Sequence, residues 1–318
     1  MKLNNTIKLL IKILVVAGAF AYIFYRLYHY DFGAFDAGNF TAGGLPGIFL
    51  LCVVMVLMFL NWLIESIKWK YLVSAFEVIT VRKSLQAVMA GLTVSMITPN
   101  RIGELAGRVF VLKKEYRGMA VFSTMVGSIS QLATTLSMGA AGIGILLCFY
   151  DIGPDRGSAS FYLMISGLML IAFLCLLFYF RVRIIEKTVS RLRWFKKMQP
   201  WLAIFSAYKS KGLAYVLFLS ICRYLIFLAQ FYLLLLFFNS GLNFFEAMLV
   251  ISATYFVTTM IPSITFAEFG IRGSVVIFFC SYFTPDFAGA FSASVLLWFI
   301  NVAIPALVGG VFVSRLKL

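Results

Sequence analysis

The chain has 318 residues, 62% of them hydrophobic and 12% charged, with a formal net charge of +15. This balance excludes a soluble globular domain, because apolar runs of about 20 residues, the length that crosses a bilayer as a helix, recur along it. So basic a soluble chain would point to nucleic acid; here the basic residues sit in short segments between apolar runs, where they set topology and meet anionic headgroups.

Lys2, Lys8 and Lys12 flank a first span, Leu9–Tyr28, which is too long for a cleaved leader and reads as an uncleaved signal anchor. The single histidine, His29, closes it as an interfacial residue, and a loop with Asp31 and Asp36 follows. Leu45–Ile64 is a second span; Glu65, Lys68, Trp69 and Lys70 behind it read as interfacial anchors. Ser84–Thr98 is an apolar run of about 15 residues, or about 22 Å of helix, short of the ~30 Å hydrocarbon core. Pro99, Asn100 and Gly103 break it, and a weakly apolar return runs to Lys113. Both ends of this excursion carry basic residues, so the spacing predicts a re-entrant hairpin over about 84–112.

Phe122–Tyr150 is a third span, whose Gly139, Gly142 and Gly144 offer small surfaces for close helix packing. Its polar run of Ser123, Ser128, Ser130, Gln131, Thr134 and Thr135 fits either a cavity lining or hydrogen bonds between helices. Ala159–Phe180 is a fourth span, and the basic stretch from Arg181 to Lys211 follows, read as a solvated topology loop or as a surface helix anchored by Trp194 and Trp201. Gly212–Phe238 is a fifth span with Arg223 near its middle, where Glu104 and Glu268 are the carboxylates available to pair with it. A second short run, Phe245–Ile261, breaks at Pro262 and returns through Gly270 to Thr284. Phe287–Val313 is the sixth span. The five cysteines fall inside apolar segments without metal-ligand spacing and read as small packed or lipid-facing residues, not disulfides.

With the N-terminus inside, every Lys and Arg except Arg26, Arg156, Arg223 and Arg272 falls on the inner side, while the outer loops hold Asp31, Asp36, Asp151, Asp155 and Asp286. The first hairpin then dips from inside and the second from outside. That is the pattern of an inverted repeat, with broken segments meeting near the midplane. The expected architecture is an all-α polytopic membrane domain over 1–318, with six spans and two oppositely oriented re-entrant hairpins. One repeat covers about 45–150 and the other about 212–313, the latter with its hairpin at 245–284.

Each broken segment carries a glutamate and an arginine four residues on, Glu104/Arg108 and Glu268/Arg272, a spacing that puts both on one helix face. Either these pairs only neutralise helix ends in lipid, or they build a polar pocket for a charged headgroup. In the second case Arg101, Arg108, Arg223 and Arg272 engage headgroup oxygens, and Glu104 and Glu268 neutralise them or carry protons. No nucleophile elbow, phosphate loop or metal cluster is present in the sequence, so neither an enzyme nor a cofactor is expected.

Lys68-Trp69, the run Gly91-Leu92-Thr93 followed by Ile97-Thr98-Pro99-Asn100-Arg101-Ile102-Gly103-Glu104-Leu105-Ala106-Gly107-Arg108, and the later Pro262 with Glu268-Phe269-Gly270-Ile271-Arg272 together resemble the transmembrane domain of the lysylphosphatidylglycerol synthase family. Asn100 stands where that family usually has glycine, and Thr265-Phe266 where it has a glycine pair. The resemblance implies lipid handling in a bacterial-type inner membrane. It also implies that aminoacyl transfer, the work of a separate soluble module, is not done by this chain alone. The expected function is therefore a flippase or transporter for a phospholipid or polyprenyl-phosphate lipid, its partners being anionic membrane lipids, with homo-oligomers compatible and nucleic acid excluded. The alternatives are an intramembrane lipid-modifying enzyme and a non-transporting partner subunit.

Overall fold

The structure, a computed structural model, describes residues 41–42, 45–96, 98, 102–150, 152–182, 184, 188, 198–262, 265–285 and 287–314. The expected first span, His29, most of the basic loop and the C-terminal Arg315 and Lys317 lie outside them. Apart from a two-residue ladder between Thr41–Ala42 and Leu45–Pro46, the described chain is built from helices.

Five stretches among the described residues are long and apolar enough to cross a membrane. They are α1 (Gly47–Val73), α4 (Arg117–Phe149) with the short turn that leads into it, α5 (Ala159–Phe180), α8 (Ser210–Phe237), and a last span made of α11 (Phe287–Trp298), a π-helical turn (Phe299–Ala303) and α12 (Ile304–Ser314). The protein is therefore an all-α polytopic membrane protein, and these helices coincide with the second to sixth expected spans. The largest difference is α1, which runs nine residues past the expected Ile64. Its buried face, Leu50, Val54, Met58, Asn61, Glu65, Lys68 and Leu72, continues the same helical stripe through the charged residues. Glu65 and Lys68 thus face the bundle interior rather than the interface, which corrects the anchoring role read from sequence.

The two broken segments form helical hairpins. In the first, α2 (Val81–Met96) is followed by α3 (Gly103–Val109). A Cβ on Gly107 would stand 2.6 Å from the Gly91 Cα, so the two backbones touch and glycine is required at both positions. Gly103 at the tip is equally confined: its N–H donates to Thr98 Oγ1 at 2.8 Å, and a Cβ there would meet the Val94 carbonyl at 2.5 Å. The open end is closed by Glu77, whose carboxylate accepts from Lys83 Nζ at 2.9 Å and from the Lys113 backbone N–H at 3.3 Å. The entry to α2 and the exit from α3 are therefore held next to each other.

In the second hairpin, α9 (Phe244–Met260) starts at an Asn243/Glu246 capping box and ends before Pro262, and α10 (Thr265–Cys280) returns. The Arg272 guanidinium lies over the Tyr255 ring at 5.8 Å, joining the two arms. At 16 and 17 residues, α2 and α9 are about 24–26 Å long, short of the hydrocarbon core.

The glycines of α4 divide as their surroundings dictate. Gly139 and Gly142 let α9 approach, a Cβ on either meeting Phe256 Cβ at 2.5 Å or Ser252 Cβ at 2.7 Å, whereas Gly144 faces open space. Beyond the basic loop come two short helices, α6 (Gln199–Leu202) and α7 (Ile204–Ala207). They tuck Leu202, Ile204 and Phe205 into the core, and Trp201 packs on Gly118 rather than serving purely as a lipid anchor. The Tyr208 hydroxyl, pushed above its ordinary range by burial, lies 2.9 Å from the Leu72 carbonyl and 2.8 Å from Ser123 Oγ, pinning this segment to α1 and α4.

Candidate functional site

The helices enclose a cavity of about 710 Å³, and both charge pairs contribute to it. Glu104 and Ile102 come from the first hairpin, Ile261, Pro262, Glu268 and Arg272 from the second, Glu65 and Lys68 from α1, and Arg223 from α8. Each i, i+4 pair is formed: Arg108 binds Glu104, and Arg272 Nη2 lies 2.5 Å from Glu268 Oε1. The tips of hairpins separated by more than a hundred residues of chain thus meet at one space.

At one end of the cavity lies a buried charge cluster centred on Glu65. One oxygen, Oε2, lies 2.7 Å from Lys68 Nζ and is bonded by Arg223 Nη1; the other, Oε1, lies 2.8 Å from Arg108 Nη2. Glu65 and Lys68 are only 4% and 1% exposed. A lone charge at this depth would be strongly unfavourable, and mutual pairing is what makes the cluster tolerable. The sequence suggested Glu104 or Glu268 as partner of Arg223; the structure places Glu65 against it. Arg223 Nε also donates to Asn61 Oδ1 at 2.7 Å, and its guanidinium lies 5.5 Å from the Trp62 ring and 5.6 Å from that of Phe227. Lys68 Nζ donates to Ser220 Oγ at 3.3 Å. Trp69, the other half of the basic–Trp motif, is fully buried and donates from Nε1 to Thr124 Oγ1 at 3.0 Å.

The polar run of α4 serves both purposes considered for it. Ser128, Gln131 and Thr135 line the cavity, while Ser123, Ser130 and Thr134 are buried in hydrogen bonds, Ser130 to Ser220 Oγ at 3.0 Å. Asn301, in the π-helical turn of the last span, also lines the cavity and accepts from Asn61 Nδ2 at 3.5 Å. The mouth is apolar: Ile102, Leu132 and Met125 line the cavity yet remain 59%, 43% and 36% exposed.

Of the residues picked from sequence, Glu104, Arg223, Glu268, Arg272 and Pro262 line the cavity, Arg108 stands directly behind Glu104, and Gly103 and Gly270 are buried hairpin residues. Arg101, Pro99 and Asn100 lie outside the described residues. Glu65, Lys68, Asn61 and Asn301 were missed; the signal for the first three was their shared face with the apolar stripe of α1. Among the described residues, no group of three or more His, Cys, Asp or Glu side chains is arranged to hold a metal ion.

A polytopic helical membrane protein with a polar, charge-lined cavity fed by two helical hairpins is the class that fold and site define. The chain matches the lysylphosphatidylglycerol synthase TM region over residues 9–310, and it belongs to that family. No curated protein and no solved structure matches it.

Proposed function

We propose that the protein is a lipid transporter of the flippase type, moving a phospholipid or polyprenyl-phosphate lipid across a bacterial-type cytoplasmic membrane. The observation that carries this reading is the single cavity shared by both Glu/Arg pairs, polar inside and apolar at its mouth. A headgroup fits the charged interior while its acyl chains stay in the bilayer beside Ile102, Met125 and Leu132. The described charges favour an anion, since Lys68, Arg108, Arg223 and Arg272 outnumber Glu65, Glu104 and Glu268.

The two hairpins act as the moving parts of an inverted repeat, about 45–150 and about 212–313, each dipping into the membrane from its own face. Rocking one against the other exposes the cavity to alternate sides. The asymmetry of basic residues supports both chain ends lying on the cytoplasmic side. Arg108, Arg223 and Arg272 engage the headgroup oxygens, and Glu104 and Glu268 neutralise the arginines when the cavity is empty.

The test is lipid movement in proteoliposomes, read with headgroup-labelled phospholipid and polyprenyl-phosphate probes and a membrane-impermeant quencher. Wild type should move at least one probe, and Glu104→Gln and Glu268→Gln, still folded, should not. No movement of any probe by wild type sinks the transporter reading, and appearance of a chemically altered lipid would replace it with an enzyme.

A further inference from the structure

The Glu65 cluster is asymmetric in a way that a purely structural ion cluster does not require. Each of its three cations has a second anchor that does not involve Glu65. Lys68 is bonded to Ser220, Arg108 to Glu104, and Arg223 to Asn61 with Trp62 and Phe227 beside its guanidinium. Among the described residues, the Glu65 carboxylate is held by those cations alone. Without the carboxylate each cation would keep its second anchor, but the three positive charges would face one another and call for another anion; without the cations the carboxylate would have no partner. Glu65, Lys68 and Arg223 also line the cavity, so the cluster is within reach of whatever occupies it.

We propose that Lys68, Arg108 and Arg223 form a preorganised cradle for one phosphate-type oxyanion, and that the Glu65 carboxylate occupies this cradle as a built-in stand-in when no ligand is bound. A carboxylate presents two oxygens sharing one negative charge, much as two oxygens of a phosphate group do, and guanidinium forks suit both. The ligand's phosphate displaces Glu65 on entry, and Glu65 displaces the phosphate on exit. Because the cations come from α1, α3 and α8, the exchange links the first hairpin to two full spans. Glu65 is in this sense a positioning residue: it sets how tightly the cradle holds an anion and how readily it lets go. The proposal rests on the transporter reading and names the part of the cavity that takes the phosphate.

The experiment is calorimetric titration of detergent-purified protein with dihexanoylphosphatidylglycerol, inorganic phosphate, or dihexanoylglycerol, which lacks phosphate, alongside the proteoliposome assay. Glu65→Asp keeps the charge but is one methylene too short to touch all three cations. It should bind the phosphate-bearing probes about ten-fold more tightly than wild type, the effect of relieving one charge-assisted bond from competition. Its lipid movement should fall, because release is slowed. Glu65→Gln should show the same split; if it fails to fold, Glu65→Asp decides. Arg223→Gln should weaken binding by about ten-fold or more.

Binding of inorganic phosphate as tight as that of the lipid assigns the cradle to a free anion, and tighter lipid binding assigns it to a headgroup; both support the cradle. Dihexanoylglycerol binding as well as the phosphate-bearing lipid, or folded Glu65 variants binding no more tightly than wild type, overturns it. Lipid movement by wild type without the affinity change sinks the cradle and leaves the transporter. The affinity change without lipid movement does the reverse.

Discussion

Arg223 and Glu65, 158 positions apart in the chain, meet as a direct ion pair inside the helical bundle. The pair ties α8 to α1 at the cavity wall, and its loss should register in stability as well as in function. Arg223→Gln removes one of three cations from a buried carboxylate and should lower stability by about 3 kcal/mol. Arg223→Lys keeps the charge but loses the Nε bond to Asn61, at a cost of about 1 kcal/mol. Thermal unfolding of the two variants in detergent orders them; equal midpoints would contradict the described geometry.

Backbone contact at the first hairpin gives a second expectation. Any Cβ on Gly107 would meet the Gly91 Cα at 2.6 Å and the Ala90 carbonyl at 2.7 Å, and neither can rotate away. Gly107→Ala should therefore separate α2 from α3 and destabilise the protein by about 1–3 kcal/mol. Gly144→Ala, with nothing within 4 Å, should leave stability unchanged or raise it by up to about 1 kcal/mol through helix propensity alone. The same unfolding measurement reads both.

Glu77 offers a local test. It holds the open end of the first hairpin through Lys83, which is partly exposed, and through the Lys113 N–H. The ion pair itself contributes little at such exposure, so Glu77→Gln should barely move the unfolding midpoint. Amide hydrogen exchange around 110–116 should quicken in Glu77→Ala, where the Lys113 N–H loses its acceptor. Unchanged exchange in that stretch would mean that the hairpin base is held by packing instead.

Water access to the cavity can be read along one helix. Ser128 lines the cavity, while Ser130 is fully buried against Ser220. With Cys52, Cys148, Cys175, Cys222 and Cys280 replaced, Ser128→Cys should react with a hydrophilic maleimide at least about ten-fold faster than Ser130→Cys, given that burial of a thiol suppresses its reactivity. Equal rates would argue against a water-filled cavity.

What the sequence revealed and what it concealed divide along sequence distance. The spans were legible because a helix in lipid must be long and apolar, a property of each segment alone. Glu104/Arg108 and Glu268/Arg272 were legible because four residues is one helical turn. The Glu65 cluster was not, because its meaning depends on Arg108 and Arg223, which only the fold brings near. A charged residue at the end of an apolar run looks the same whether it faces headgroups or the core. Only the register with Leu50, Val54 and Met58 separates the two, and an apolar run that stops at Ile64 hides that register.

The helix Ala159–Phe180 carries a different consequence. Of its 22 residues only Tyr179 is buried, its hydroxyl donating to the Leu213 carbonyl at 2.6 Å. Leu168, Ile171, Ala172 and Cys175 pack against the cluster of Leu136, Ala140 and Phe256, and the rest of the helix is more exposed than any other span among the described residues. Selection there acts on hydropathy and length more than on shape, so most of its side chains are interchangeable with other apolar ones. Through this helix the thickness and composition of the surrounding bilayer bear directly on the protein, with one phenol fastening it at the end.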